Sequence, residues 1–159
     1  MILILLGTFQ IEFKRPLIEI EKLCIQNNLT EELIVQCGHT KYTSPYFKML
    51  PFIEPAALDL LYDKARIIIT HAGTGSIIKG LKMRKKVIAI ARLRKFGEHI
   101  DDHQLEILTE FATSGYLLPW NENDSIKQIL LKAEHFKPMV YVSRKENILN
   151  YLQNYIDSL

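Results

Sequence analysis

Four short aliphatic runs, each closed by glycine or by a polar loop, constrain this chain more than any other feature. Met1–Leu6 (MILILL) ends at Gly7, and Glu32–Cys37 (ELIVQC) ends at Gly38. Arg66–Thr70 (RIIIT) runs into His71-Ala72-Gly73-Thr74-Gly75-Ser76, and Val87–Ala91 (VIAIA) runs into Arg92. Aliphatic runs this short, without polar alternation, read as strands buried on both faces. Tyr46–Ile53, interrupted by Pro51, reads as a short strand plus loop, and Tyr116–Leu118 as a last edge strand. Helical spacing falls between them. It predicts helices over Phe13–Asn27, Pro55–Lys64, Ser76–Met83, Asp101–Thr113 (closed by Gly115), Ser125–Glu134 and Arg144–Leu159. Such alternation implies an α/β fold, a Rossmann-like parallel sheet flanked by helices on both faces. Sheets of this kind bind ligands beyond the carboxyl ends of their strands. The loops after Leu6, Thr70 and Ala91 are therefore where function is expected.

Composition narrows the class. A chain of 159 residues is about one domain, at roughly 100–200 residues each. With 48% hydrophobic and 24% charged residues, disorder and collagen-like structure are excluded. No apolar run approaches the ~20 residues that span a bilayer. Met1–Leu6 lacks the basic start and the length of a secretory signal. Cys24 and Cys37 give neither a disulfide framework nor a zinc set, and neither lies in a reactive motif. A cytoplasmic setting is expected.

Charge is unevenly placed. Lys64–Gly97 holds ten of the twenty basic residues and no acidic one, which leaves ten basic against eighteen acidic residues elsewhere. Such a segment suits an anionic ligand or surface, or simply a solvated helix face. Phe96 is its only aromatic residue, and no RNA-binding pattern appears, so nucleic acid is not expected as a partner.

The loop after Thr70 is the sharpest local signal. Gly73 and Gly75 allow close backbone approach, and a helix N-terminus offers free N–H groups at a positive dipole end. Thr74 and Ser76 add hydroxyl donors. This suits phosphate, although glycine also serves tight packing in such turns. The loop is neither a Walker A sequence nor a full dinucleotide fingerprint, because Ile78 stands where a third glycine would. After the fourth strand comes Arg92-Leu93-Arg94-Lys95-Phe96-Gly97-Glu98-His99-Ile100-Asp101-Asp102-His103-Gln104. Asp101 or Asp102 can cap the following helix, and Asp, His and Gln at a helix start also suit sugar hydroxyls. His99 and His103 stand four apart, as on metal-binding helices. No third ligand accompanies them in the pattern, so no metal is expected. The terminal stripe of Ile148, Leu149, Tyr151, Leu152, Tyr155, Ile156 and Leu159 is either core packing or a partner-docking face.

The strings RIIITHAGTGSI from Arg66 and VIAIARLRKFGEHIDDHQLEI from Val87 resemble those of the PssE-type small subunits of bacterial polysaccharide glycosyltransferases. They are also similar to the catalytic subunit of the eukaryotic two-chain enzyme that adds the second N-acetylglucosamine to dolichol-linked oligosaccharide. They are similar again to the C-terminal half of MurG-like enzymes of glycosyltransferase family 28. The resemblance runs from Leu5 to about Trp120.

It implies the C-terminal half of a GT-B fold, residues 1–159 forming one domain that binds a UDP-sugar as donor substrate, with no further cofactor. Gly7 and Thr8 would face the donor. Phe52, Ile53 and Glu54 would edge the nucleobase, and His71, Ala72, Gly73, Thr74, Gly75 and Ser76 would hold the diphosphate, with Arg92 adding charge. Glu98, His99, Asp102, His103 and Gln104 would approach the sugar. Lys79 stands where MurG-like members carry a ribose-binding Glu, which leaves ribose recognition open and suits Lys79 to phosphate.

The implied activity is inverting hexose transfer to a lipid-linked saccharide acceptor, in exopolysaccharide or capsule assembly. A membrane-anchored PssD-like partner would bind the acceptor and hold the chain at the inner face of the plasma membrane. Residues 140–159 would be the docking helix. The general base is expected on the partner, with His71 the candidate on this chain. Lys82–Lys86 is left over by the donor and is assigned to anionic lipid or the partner. The alternative is a noncatalytic scaffold that stimulates a membrane-anchored transferase.

Overall fold

The computed structural model describes residues 1–143 and 145–158. Six strands form one sheet: β1 (Ile2–Leu5), β2 (Leu33–Gln36), β3 (Phe47–Leu50), β4 (Ile67–His71), β5 (Lys86–Ile90) and β6 (Leu118–Pro119). Their order is β3-β2-β1-β4-β5-β6, and every pairing is parallel. Six helices accompany them: α1 (Arg15–Ile25), α2 (Pro55–Lys64), α3 (Thr74–Lys82), α4 (His103–Thr113), α5 (Ile126–His135) and α6 (Lys145–Asp157). The expected Rossmann-like sheet is present. Arg144 and Leu159, which the sequence reading placed at the ends of the last helix, lie outside the described residues.

The pleat divides each buried run between two cores. Ile2, Ile4 and Leu6 point to one face with Ile67, Ile69, Ile88 and Ile90, where α1 and α5 cover them through Leu17, Ile20, Ile126 and Ile129. Leu3 and Leu5 point to the other face with Ile68, Val87 and Ala89, beneath Tyr62 of α2, Ile77 and Leu81 of α3 and Leu108 of α4. Burial on both faces is why these strands show no polar alternation.

Helix ends follow local chemistry. Pro16 and Pro55 sit in the first turns of α1 and α2, where a missing N–H costs no helical bond. The first helix therefore starts later than its apolar spacing suggests, and Phe13 is core without being helical. The last edge strand is likewise displaced, to Leu118–Pro119. A short 3-10 turn at Arg94–Phe96 was not expected. The end of α4 at Gly115 was, with φ 71° and the Tyr116 N–H on the Phe111 carbonyl at 3.0 Å. At α3 the same reversal is made by Arg84, with φ 55°, and the Lys85 N–H reaches the Gly80 carbonyl at 2.9 Å.

No described helix is long and apolar enough to cross a membrane. None of the described α6 residues is buried.

A side chain in the left-handed region is strained, and glycine is not. Arg84→Gly is expected to raise unfolding free energy by about 1 kcal/mol, measured by urea denaturation. An unchanged or lowered value would mean that the Arg84 side chain stabilises the turn by other contacts.

Candidate functional site

Strands β1 and β4 are neighbours, but the chain leaves them toward opposite sides of the sheet. A crevice is expected at this reversal, beyond the strand ends. Its floor is the His71 ring. Nδ1 of His71 lies 3.3 Å from the Leu5 carbonyl, and two glycines close over the imidazole. A Cβ on Gly7 would come within 2.8 Å of His71 Cε1, and one on Gly73 within 2.3 Å of Nε2. Gly7 and Gly73 thus both leave space for the His71 ring. Gly7 also requires glycine for its φ of 82°. Burial lowers the His71 pKa below the usual imidazole value, the Leu5 carbonyl opposes this, and the charges of Arg92 and His99 lower it further.

Above this floor α3 begins. Gly73 is its N-cap residue, and no side chain caps it. The Ile77 N–H reaches the Gly73 carbonyl at 3.3 Å, whereas the N–H groups of Thr74, Gly75 and Ser76 have no acceptor among the described residues. Thr74 and Gly75 are exposed. A Cβ on Gly75 would meet nothing within 4 Å. Tyr62 of α2 steadies this turn by donating its hydroxyl to the Ser76 carbonyl at 3.0 Å, while Ala72 is buried, its N–H on the Ile90 carbonyl at 3.1 Å. The crevice therefore presents three unpaired N–H donors at a positive dipole end.

Arg92 was expected at a diphosphate and is instead internal. It is 1% exposed. Its Nη1 donates to the carbonyls of Ile11 at 2.7 Å and Glu98 at 3.0 Å, and its Nη2 to that of Leu6 at 2.8 Å. The guanidinium lies 4.7 Å from the Phe13 ring centre and 5.8 Å from that of Phe9. Its Nε has no partner among the described residues. Burial pulls its pKa down to about 10, with Glu98 acting against the shift, so it stays charged at neutral pH.

Glu98 was expected at the sugar. It is 5% exposed and takes a two-pronged bond from Arg15, at 2.9 Å from Nε and 2.7 Å from Nη2. It also accepts the Leu93 N–H at 3.1 Å. Arg15 Nη2 reaches the Ala91 carbonyl as well, at 2.7 Å. Gln104 is buried, and its Oε1 accepts the Arg92 N–H at 3.0 Å. Asp102 accepts the Arg94 N–H at 2.8 Å. Arg92 and Glu98 are thus committed to holding the loop, whereas Asp102 is exposed and the Gln104 Nε2 has no protein acceptor among the described residues. Arg15 gave no sequence signal, since 83 residues separate it from Glu98.

Farther along the loop, His99 and His103 gather around Asp101. Phe9 stacks on His99 with ring centres 4.8 Å apart. Thr8 is exposed on the loop after β1, and Phe52 and Ile53 lie in the loop after β3, with Phe52 exposed against His39 at 5.4 Å. That loop stands three strand spacings from β4, roughly 14 Å.

The basic run is dispersed. Lys79 pairs with Asp59 and sits 5.0 Å over the Tyr62 ring. Lys85 donates to the Asp63 carbonyl, and Lys86 to the carbonyls of Ala133 at 2.7 Å and Glu134 at 2.6 Å. The assignment of Lys82–Lys86 to lipid or partner as one cluster is corrected, because Lys85 and Lys86 are bonded within the fold. Lys82 and Arg84 line a cavity with Met139 and Tyr141.

The glycosyltransferase family 28 C-terminal domain matches residues 1–158. The chain is similar to a UDP-N-acetylglucosamine transferase subunit ALG13 of Candida albicans, with 30% identity over 137 residues, 86% of this chain and 42% of that protein. It thus spans less than half the length of that relative. Among solved structures, the solution structure of ALG13 aligns over 95% of this chain and 94% of its own, with TM-score 0.57 and 18% identity. MurG of Acinetobacter baumannii aligns over 83% of this chain and 40% of its own, with TM-score 0.55 and 19% identity. At these identities the structural matches speak to fold.

Two outcomes follow from His71 as the floor. Gly73→Ala is expected to destabilise the wild type more than a His71→Ala background, with a coupling energy of at least about 1 kcal/mol in a double-mutant cycle. Additive costs would mean that the ring is not what Gly73 accommodates. A histidine with a lowered folded pKa contributes fully above its unfolded value of about 6.5 and loses that contribution as pH falls through the folded value. Stability of the wild type should therefore fall more steeply than that of His71→Asn as pH drops below about 6.5, read by denaturation at each pH. Parallel profiles would contradict the buried neutral ring.

Proposed function

Because this chain belongs to glycosyltransferase family 28, as a C-terminal domain, we propose that it holds the UDP-sugar donor of a two-component transferase. One observation carries the reading: the unpaired N–H groups of Thr74, Gly75 and Ser76 at the start of α3, placed where β1 and β4 diverge. A diphosphate there accepts main-chain hydrogen bonds at a helix N-terminus. The uracil then extends across the strand ends toward Phe52 and Ile53, and the sugar toward His99 and His103.

In this reading Arg92 and Glu98 are positioning residues, since their polar atoms fix the loops that frame the donor, while Asp102 and the Gln104 Nε2 are left for the sugar hydroxyls. His71 is also a positioning residue. Its ring lies beneath two glycines, and the base that activates an acceptor hydroxyl comes from the partner. Neutralisation of the leaving UDP falls mainly to oriented N–H groups, which need no reorganisation as charge develops.

The partner is a membrane-anchored, PssD-like subunit that presents a lipid-linked saccharide. Transfer inverts the sugar's anomeric centre, and the biological setting is exopolysaccharide or capsule assembly. The chain would then be peripheral at the inner face of the plasma membrane. Support for a partner comes from α6, whose Ile148, Tyr151, Leu152, Tyr155 and Ile156 are all exposed, an apolar face suited to helix-in-groove docking. The Candida relative is itself named as a subunit of a UDP-N-acetylglucosamine transferase, which makes that sugar the first donor to test, ahead of galactose and glucose.

Gly75 allows a clean test, because a side chain there meets open space. Gly75→Asp should leave thermal stability unchanged, since an acidic group suits a first helical turn. It should weaken UDP and UDP-sugar binding by at least about tenfold, because like charges would face each other. Calorimetry on the co-expressed pair reads both ligands. No binding by the wild-type pair, or equal binding by Gly75→Asp, would refute the donor site and favour a scaffold subunit.

A further inference from the structure

The sequence pattern offered His99 and His103 no third ligand, and folding provides one. Asp101 Oδ1 lies 2.9 Å from His99 Nδ1 and also pairs with His103 Nδ1. The three donor atoms all lie within 4.8 Å of one another. Tetrahedral zinc with bonds of about 2.0–2.2 Å sets its ligand atoms about 3.3–3.6 Å apart, so Asp101 Oδ1 would draw back from both imidazoles as the ion enters.

The cluster is anchored on two sides. The His99 side chain is 10% exposed, held by the stack on Phe9 and by an edge contact with His103 at 4.9 Å. His103 is the first residue of α4, so its backbone is fixed. Asp101 and His103 are half exposed, which leaves the cluster open to solvent.

We propose that His99, Asp101 and His103 form a divalent-metal site of the zinc type. Two imidazoles and one carboxylate suit zinc and its first-row neighbours, whereas magnesium and calcium favour all-oxygen sets. Binding would place both Nδ1 lone pairs on the ion, releasing the proton shared by His103 Nδ1 and Asp101 to solvent and displacing the Asp101 N–H that reaches His99 Nδ1 at 3.3 Å. Three protein ligands leave a coordination position open. The site stands on the loop after β5, at residues toward which the donor reading sends the sugar, and its test needs no nucleotide, so failure of one reading is distinguishable from failure of the other.

Calorimetric titration of the full chain with Zn²⁺, and visible spectra with Co²⁺, test the site directly. One ion per chain is expected at micromolar Zn²⁺. His103→Ala and Asp101→Asn, both at exposed positions, should each weaken it by at least about tenfold, with thermal stability verifying that each variant is folded. His135→Ala, at the end of α5, should bind as the wild type does. No stoichiometric binding by the wild type, or full affinity in both site variants, would overturn the proposal.

Discussion

A guanidinium with almost no contact with water holds together the end of the sheet on which everything else depends. Arg92 leaves β5 and bonds the carbonyls of Leu6 and Ile11 in the loop after β1 and of Glu98 in its own loop. Burying a charge is costly unless it is paired and hydrogen-bonded. Here three carbonyls, two aromatic rings and the neighbouring Glu98–Arg15 pair answer that cost. The β1 loop thereby stays where Gly7 can cover His71, and the β5 loop stays where His99 can stack on Phe9. Loss of the guanidinium would release both loops together.

Much of this architecture was legible in the sequence. Aliphatic runs gave the strands because burial on both faces removes polar alternation, and Gly115 and the prolines marked helix ends through backbone chemistry that is local. What was not legible is how polar residues pair over distance. Arg92 and Glu98 were read as ligand contacts because charge beside a binding loop looks the same whether it points outward or inward. Arg15 was silent for the same reason, its partner lying far along the chain. Gly73 was recognised as a close approach, but the sequence does not say that the approaching group is His71. Asp101 was considered as a cap, and only the turn between Glu98 and His103 sets it between two imidazoles.

The acid-free segment from Lys64 to Gly97 shows the limit of counting charge. Acidic residues outside the segment pair with Arg66 (Glu31 and Glu134) and Lys79 (Asp59), and backbone carbonyls tie down Lys85 and Lys86. What the crevice keeps for an anion is less the net charge of the run than the oriented N–H groups of α3.

The central claim is that the donor lies where β1 and β4 diverge. Amide NMR spectra recorded during titration with UDP test it most directly. The account predicts the largest shifts at Gly7, Thr74, Gly75 and Ser76, smaller ones at Phe52 and Ile53, and none along α6. Shifts gathered instead around Lys82, Arg84 and Tyr141, or spread evenly over the surface, would contradict it.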